Sequence, residues 1–324
     1  MTFAPTASLK HLRLRARVLE QIRAFFKARD VLEVDTPILA LAPVTDPHIQ
    51  ALKTRISLFG AQDFYLQTSP EYYLKRLLAA YPISVYQLGK VFRDDECGRH
   101  HAPEFTMLEW YRLGLDDHAL MEEMQALFQL LWSALHDAPL SFEKLSYKQA
   151  FVRYLAINPH QVSLTALQAL VREKVGEIPH LSTPDRDTCL QLLMSMVIEP
   201  ALAHLPGPVF IYDFPATQAA LAQLRQDAEG DAVAGRFEVY WRGLELANGY
   251  HELSDATLQA QRFESDLAKR QALNLPAVPI DQKLLAALQS GLPACAGVAL
   301  GFERLLMILS GATHIEAVSA FHRY

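Results

Sequence analysis

Apolar residues recur at helical spacing near the start of the chain. In residues 9–29, LKHLRLRARVLEQIRAFFKAR, the set Leu12, Leu19, Ile22 and Phe26 marks one helical face, with Ser8 placed to cap it. The next run, DVLEVDTPIL, changes period. Val31, Val34 and Ile38 predict a strand, with Pro37 at an edge or bulge because proline brings no N–H to a ladder. DFYL at 63–66 predicts a short strand, and Ser69-Pro70 predicts an N-cap and first-turn proline for a helix ending at Tyr81-Pro82. Residues 83–93, ISVYQLGKVFR, and 105–111, FTMLEWY, read as two strands joined by a polar loop over 94–104. From about 116 to 205 the spacing is helical. Strands return at PVFIYDFP and RFEVYWRGLELANGYHEL, and helices fill 254–290. GVALGFERLLMILSG then predicts a glycine-flanked strand end or turn opening a helix.

This order predicts an α+β fold, a mainly antiparallel β-sheet flanked by helices. No repeat or long linker interrupts it, so the expectation is one catalytic-size domain over 1–324 with a helical insertion at about 116–205.

Composition narrows the class. The chain is 51% hydrophobic, enough for a large core, and no run of 18 uncharged apolar residues or signal-peptide core is present. The net charge of -6 argues against holding nucleic acid by bulk electrostatics and leaves room for a local basic patch. Cys97, Cys189 and Cys295 are widely spaced with no CxxC pair, so neither zinc nor a redox couple is expected and a reducing, cytoplasmic setting fits.

Candidate chemistry concentrates in three segments. Strand alternation puts Phe105, Met107, Glu109 and Tyr111 on one face, a carboxylate and a phenol beside an aromatic ring, while Arg93 shares a face with Val91 and Gly89 on the facing strand. Glu238, Glu245 and Glu252 recur around Asn248, and converging carboxylates need a cation, either Mg²⁺ or an amine. Glu238 and Glu252 share strand parity and Glu245 does not, so a bulge or break near Gly243 or Gly249 is required to bring them together. Gly297 and Gly301 precede Arg304, a pattern that lets a flat ligand near the backbone with a guanidinium beyond it. No P-loop and no GxGxxG fingerprint occurs.

Taken in order, FFKARDVLEVDTP, VFRDDECGRHHAPEFTMLEWY and GVALGFERLLMI resemble the three signature motifs of class II aminoacyl-tRNA synthetases. TSPEYYLKRLL, HAPEFTMLEWY and ELANGYHELSD are specifically similar to lysyl-tRNA synthetases. The first motif starts within thirty residues of the N-terminus, with no OB-fold anticodon-binding domain expected before it. The chain therefore resembles most the stand-alone paralogues, the family of elongation factor P–lysine ligases, which join lysine, preferably (R)-β-lysine, to a lysine side chain of elongation factor P. Ala299 replaces the middle glycine of the synthetase GxGxG, which the resemblance implies reshapes the pocket for the β-isomer.

The resemblance implies the class II catalytic fold, ATP as substrate, Mg²⁺, a homodimer formed through the first motif, and the following roles. Arg93 and Arg304 are catalytic. Arg93 binds the α-phosphate, Arg99 and His101 reach the outer phosphates, Phe105 stacks on adenine, and Arg304 covers its other face. Asp94, Leu246 and Gly301 complete the nucleotide site, and Glu238 with Glu245 holds the metal. Ser69, Pro70 and Glu71 receive the substrate's α- or β-ammonium, Glu109, Tyr111 and Glu252 its ε-ammonium, and Asn248 its carboxylate, with Tyr250 and Ala299 lining the pocket. Three departures stand out: Asp95 where glutamate is usual, so that either Asp95 or Glu96 contacts adenine; Ala102 for asparagine; and His100 for tyrosine. Two other readings remain, a tRNA-charging enzyme, recognised by a tRNA-dependent product, and an inactive amino-acid-binding paralogue, recognised by absent pyrophosphate exchange.

Overall fold

The first helix forms over the predicted stretch: the Ser8 hydroxyl accepts from the His11 N–H at 3.2 Å and Leu9–Lys27 runs helical, but the buried face is Val18, Ile22, Phe25 and Phe26, with Leu12 and Leu19 only half-buried beside it. The computed structural model describes residues 3–94, 97–177 and 183–322. They form two units, Met1–Leu135 with Glu252–Tyr324, and His136–His251. In chain order the strands are β1 (Leu32–Glu33), β2 (Leu39–Ala40), β3 (Lys53–Arg55), β4 (Asp63–Leu66), β5 (Val85–Phe92), β6 (Glu104–Leu113), β7 (Glu143–Ser146), β8 (Val209–Pro215), β9 (Leu224–Gln226), β10 (Ala232–Trp241), β11 (Leu244–His251) and β12 (Cys295–Gly301).

In the first unit β5, β6 and β12 pair antiparallel in sequence, and β1 adds parallel to β5. Alternation then divides β6. Leu108 and Trp110 point to the Leu9–Lys27 helix, where Phe26 lies 5.4 Å from Trp110 and stacks on Tyr86 at 4.4 Å. Glu109 and Tyr111 point the other way, opposite Ala299 and Gly297 of β12. A small sheet, β2-β4-β3, completes the unit with the helices Glu71–Ala80, Asp117–Ser133, Ala256–Ala272, Gln282–Gly291 and Phe302–Ser310.

In the second unit β11, β10 and β8 are antiparallel, β7 lies parallel to β8, and β9 pairs with β10. Helices Tyr147–Leu155, Leu164–Lys174 and Arg186–Leu193 bury Phe151, Leu167, Val171, Leu190 and Leu193 against Ile211 and Tyr240 of this sheet.

Three local expectations are corrected. The strand read over 30–39 is two two-residue strands in different sheets, with Pro37 in the connection between them. The helix after Ser69 starts at Glu71 with Pro70 at the cap position, although the Ser69 hydroxyl still accepts from the Glu71 N–H at 3.0 Å. The stretch 116–205 is not helical throughout: Glu143–Ser146 is β7, a strand too short and too polar to show a period of two, held in register by β8.

Candidate active site

The face of β6 that carries Glu109 and Tyr111 is the floor of a buried polar pocket in the first unit. Tyr111 OH donates to Glu109 Oε1 at 2.7 Å, and Ser69 Oγ donates to Glu109 Oε2 at 2.7 Å. From the Glu71–Ala80 helix, Lys75 Nζ reaches Glu71 Oε1 at 2.6 Å and Glu252 Oε2 at 2.6 Å. Both charges of the second pair are almost wholly inside, with 2% of the Lys75 and 1% of the Glu252 side chain exposed. Gly297 closes the far wall: a Cβ there would stand 2.3 Å from Tyr111 Cε1 and 2.5 Å from Glu252 Oε1. Glycine is required at this position by proximity, since its backbone lies directly against the pocket's ring and carboxylate. The sequence thus brings Ser69, Glu71, Glu109, Tyr111 and Glu252 together from a loop, a helix, a strand and the segment after β11.

Charge in this pocket is unbalanced. Three carboxyl groups face one ammonium, because Ser69 and Tyr111 add hydrogen bonds without charge. Burial disfavours ionisation, so Glu109 is pushed up to about 7, chiefly by desolvation and then by Glu71. Glu252 is pushed up to about 8 by desolvation, which outweighs the opposing pull of Lys75. Lys75 itself is raised, since the charges of Glu252 and Glu71 overcome its own desolvation. Tyr111 is raised by burial and by Glu109, and stays a neutral donor. Such a pocket gains a compensating cation wherever an amine enters it.

The loop after β5 carries the second set. Arg93 donates its backbone N–H to Pro103 O at 2.9 Å, and its guanidinium lies 5.3 Å from the centre of the Phe105 ring. Gly98 and His101 bond to each other across the loop, and Arg304 reaches it with Nη2 on the His101 ring and Nε on His100 O at 3.4 Å. Arg99 Nε donates to Thr313 O at 2.7 Å, which ties the loop to the segment after the Phe302–Ser310 helix. Burial, then Arg99 and Arg304, lower His100. Glu303, next to Arg304, receives Arg15 at 2.9 Å and the Thr106 N–H at 2.8 Å, so the helix start is anchored to β6. Gly301 is its N-cap residue. Asp94 is exposed and held by its backbone N–H to Gln50 O at 2.9 Å, and Asp95 and Glu96 lie outside the described residues.

In the second unit the parity conflict among the glutamates is resolved by a break and a bulge. Arg242 and Gly243 both have positive φ, 54° and 75°, making the two-residue turn between β10 and β11. The register then shifts: Glu238 pairs with Asn248 and Val239 with Ala247, but Tyr240 pairs with Glu245, leaving Leu246 as the extra residue. Glu238 and Tyr240 share a face by alternation, and the bulge turns Glu245 to the same side. Glu238 accepts from Arg236 Nη2 and from Tyr240 OH, and Arg236 Nε donates to Asn248 Oδ1 at 3.3 Å. Tyr250 stands opposite Arg236. For a divalent cation the donors are right in kind, two carboxylates on one face, and each engaged oxygen of Glu238 keeps a second lone pair.

Lys75 is the residue of this buried cluster that reasoning from sequence passed over. Its signal was the i, i+4 spacing from Glu71 in SPEYYLK, which ordinarily marks a surface pair.

Known proteins resemble this chain along nearly its whole length. The family described as tRNA synthetases class II (D, K and N) matches residues 2–324. The chain is 49% identical over 322 residues, 98% of its length and 96% of the relative's, to the elongation factor P–(R)-β-lysine ligase of Vibrio cholerae serotype O1. It is 49% identical over 324 residues, 99% of its length and 97% of the relative's, to the Salmonella typhi protein of the same name. With the three motifs on one α+β scaffold and a family match along almost all of its residues, the chain belongs to the class II tRNA synthetases of the D, K and N group.

Proposed function

We propose that this protein is an ATP-dependent ligase that activates lysine, preferably (R)-β-lysine, as an aminoacyl-adenylate and transfers it to a lysine side chain of elongation factor P. The observation that carries the reading is the buried pocket of Glu71, Glu109 and Glu252 around one lysine, an acceptor built for an amino acid with an amine at each end. Glu71, with Ser69 and Pro70, takes the ammonium nearer the carboxylate; Glu109, Tyr111 and Glu252 take the ε-ammonium; Asn248 and Tyr250 orient the carboxylate. Ala299, opposite Glu109 in register, narrows the pocket by one methyl where synthetases carry glycine.

In the first step the substrate carboxylate attacks the α-phosphate. Arg93 stabilises the charge that develops there, while Arg304 and His101 hold the outer phosphates and Asp94, Phe105, Leu246 and Gly301 enclose the adenosine. Glu238 and Glu245 would hold Mg²⁺, which supplies neutralisation of the pyrophosphate leaving group. The acceptor amine then attacks the adenylate carbonyl, AMP leaves, and an amide forms; positioning supplies much of the rate, with no covalent enzyme intermediate.

The enzyme works in the cytoplasm as a homodimer. Leu32, Ile38, Leu39 and Leu41, 53%, 42%, 37% and 51% exposed around Pro37, support a subunit contact there.

The test is the intact mass of elongation factor P after incubation with this protein, ATP, Mg²⁺ and (R)-β-lysine, with lysine tRNA in a parallel reaction. One added lysyl unit on the factor and none on the tRNA is the expected result. An unmodified factor beside charged tRNA would assign the protein to tRNA charging instead.

A further inference from the structure

Lys75 takes no part in the reaction set out above, yet its ammonium lies inside the substrate pocket. A purely structural role explains this placement poorly. Tyr72, Leu74 and Leu78 already bury the inner face of the Glu71–Ala80 helix, and a buried ion pair costs desolvation that an apolar side chain of similar size avoids. The titratable groups around it are Glu71 and Tyr72 on its own helix, Glu252 from the segment after β11, and Glu109 from β6, with Tyr111 bonded to Glu109; burial raises both tyrosines, which stay neutral. Cys295 of β12 lies behind Glu252, whose N–H donates to Cys295 O at 3.0 Å; burial and Glu252 push that thiol up to about 12, so it contributes no charge. With Ser69 and Tyr111 neutral, the balance is three carboxyl groups against one resident ammonium.

We propose that Lys75 is a positioning residue that sets the pocket's charge: its ammonium clamps Glu71 to Glu252 and offsets one of three carboxylates, so the complementary occupant is an amino acid with two ammonium groups. The inference rests on the lysine-activating reading above and adds a selection rule to it. Lysine and β-lysine bring two such groups, whereas norleucine, of similar shape, brings one and leaves a buried carboxylate that must take up a proton. In the empty pocket a proton stands in for a missing cation, and the group placed to carry it is Glu109, which has only hydroxyl donors beside it while Glu71 and Glu252 hold Lys75. Substrate binding therefore displaces protons, and removal of Lys75 deepens the deficit.

The experiment compares the wild type with Lys75→Met and Lys75→Arg, reading kcat/KM for lysine in ATP–pyrophosphate exchange from about pH 6 to about pH 9.5. Lys75→Met is expected to move the acid limb upward by about one pH unit and to lower kcat/KM about tenfold at pH 7, with recovery as the pH rises. Lys75→Arg keeps the charge and is expected to keep the limb in place. An equal loss at every pH in both variants, with the limb unmoved, overturns the proposal and leaves Lys75 a packing residue.

A second measurement needs no variant. Calorimetry of the wild type near pH 7, in buffers of different ionisation enthalpy, is expected to find about one proton released per lysine bound and fewer with norleucine. Equal release for both ligands overturns the charge count even if Lys75→Met does not fold. A wild type without lysine-dependent exchange or lysine binding would instead remove the lysine-activating reading and this inference with it.

Discussion

Gly297→Ala tests the pocket where its geometry is tightest. The added Cβ would sit 2.3 Å from Tyr111 Cε1 and 2.5 Å from Glu252 Oε1, so the ring carbon must retreat by about 1.1 Å to reach the 3.4 Å of ordinary contact. Neither neighbour has open space behind it, since Tyr111 and Glu252 are each 2% exposed. Overpacking of this kind costs about 1–3 kcal/mol, enough to lower Tm by several degrees. The functional cost is larger in proportion. Tyr111 can retreat only by dragging its hydroxyl off Glu109, and Glu252 only by leaving Lys75, and a misplacement of about 1 Å costs roughly 100-fold in rate. In lysine-dependent pyrophosphate exchange, kcat/KM for lysine should fall about 100-fold while KM for ATP stays within about twofold. A variant with kcat/KM within about threefold of wild type and an unchanged Tm would refute this account of the pocket wall.

On the proposed roles, Arg93→Ala and Arg304→Ala should each lower kcat for exchange by about 100-fold or more, Arg93 through charge developing on the α-phosphate and Arg304 through charge developing on the pyrophosphate that leaves; a rise in KM alone would assign them to ground-state binding. Glu109→Gln should abolish exchange yet flatten the pH dependence of stability. The folded carboxyl keeps its proton up to about 7, above its unfolded value, so the folded state binds more protons over that range and loses stability as the pH rises towards 7. Thermal melts of the ligand-free proteins between about pH 5 and about pH 8 should show a steeper decline for the wild type, and parallel slopes would refute the assignment. Ala299→Gly should shift preference toward α-lysine, read as the ratio of kcat/KM for the two isomers; an unchanged ratio would separate that position from isomer choice.

Much of the site was legible in the chain because the relevant rules are local. Alternation along β6 puts Glu109 and Tyr111 on one face whatever lies around them, and their hydrogen bond is its direct result. The parity conflict of Glu238 and Glu245 demanded a break near Gly243, and the turn at Arg242-Gly243 with the bulge at Leu246 supplies it. Other features had no local signature. β7 is a strand only because β8 offers its backbone a partner, and Pro37 splits a run whose halves are claimed by different sheets. Lys75 is the sharpest case: four residues after Glu71 it reads as half of a surface ion pair, worth little. Only the fold brings Glu252 to its other side and closes β6 and Gly297 over them, and burial turns that ordinary pair into the charge that defines the pocket. Periodicity assigns residues to faces; desolvation, which depends on everything packed around a group, decides what their charges do.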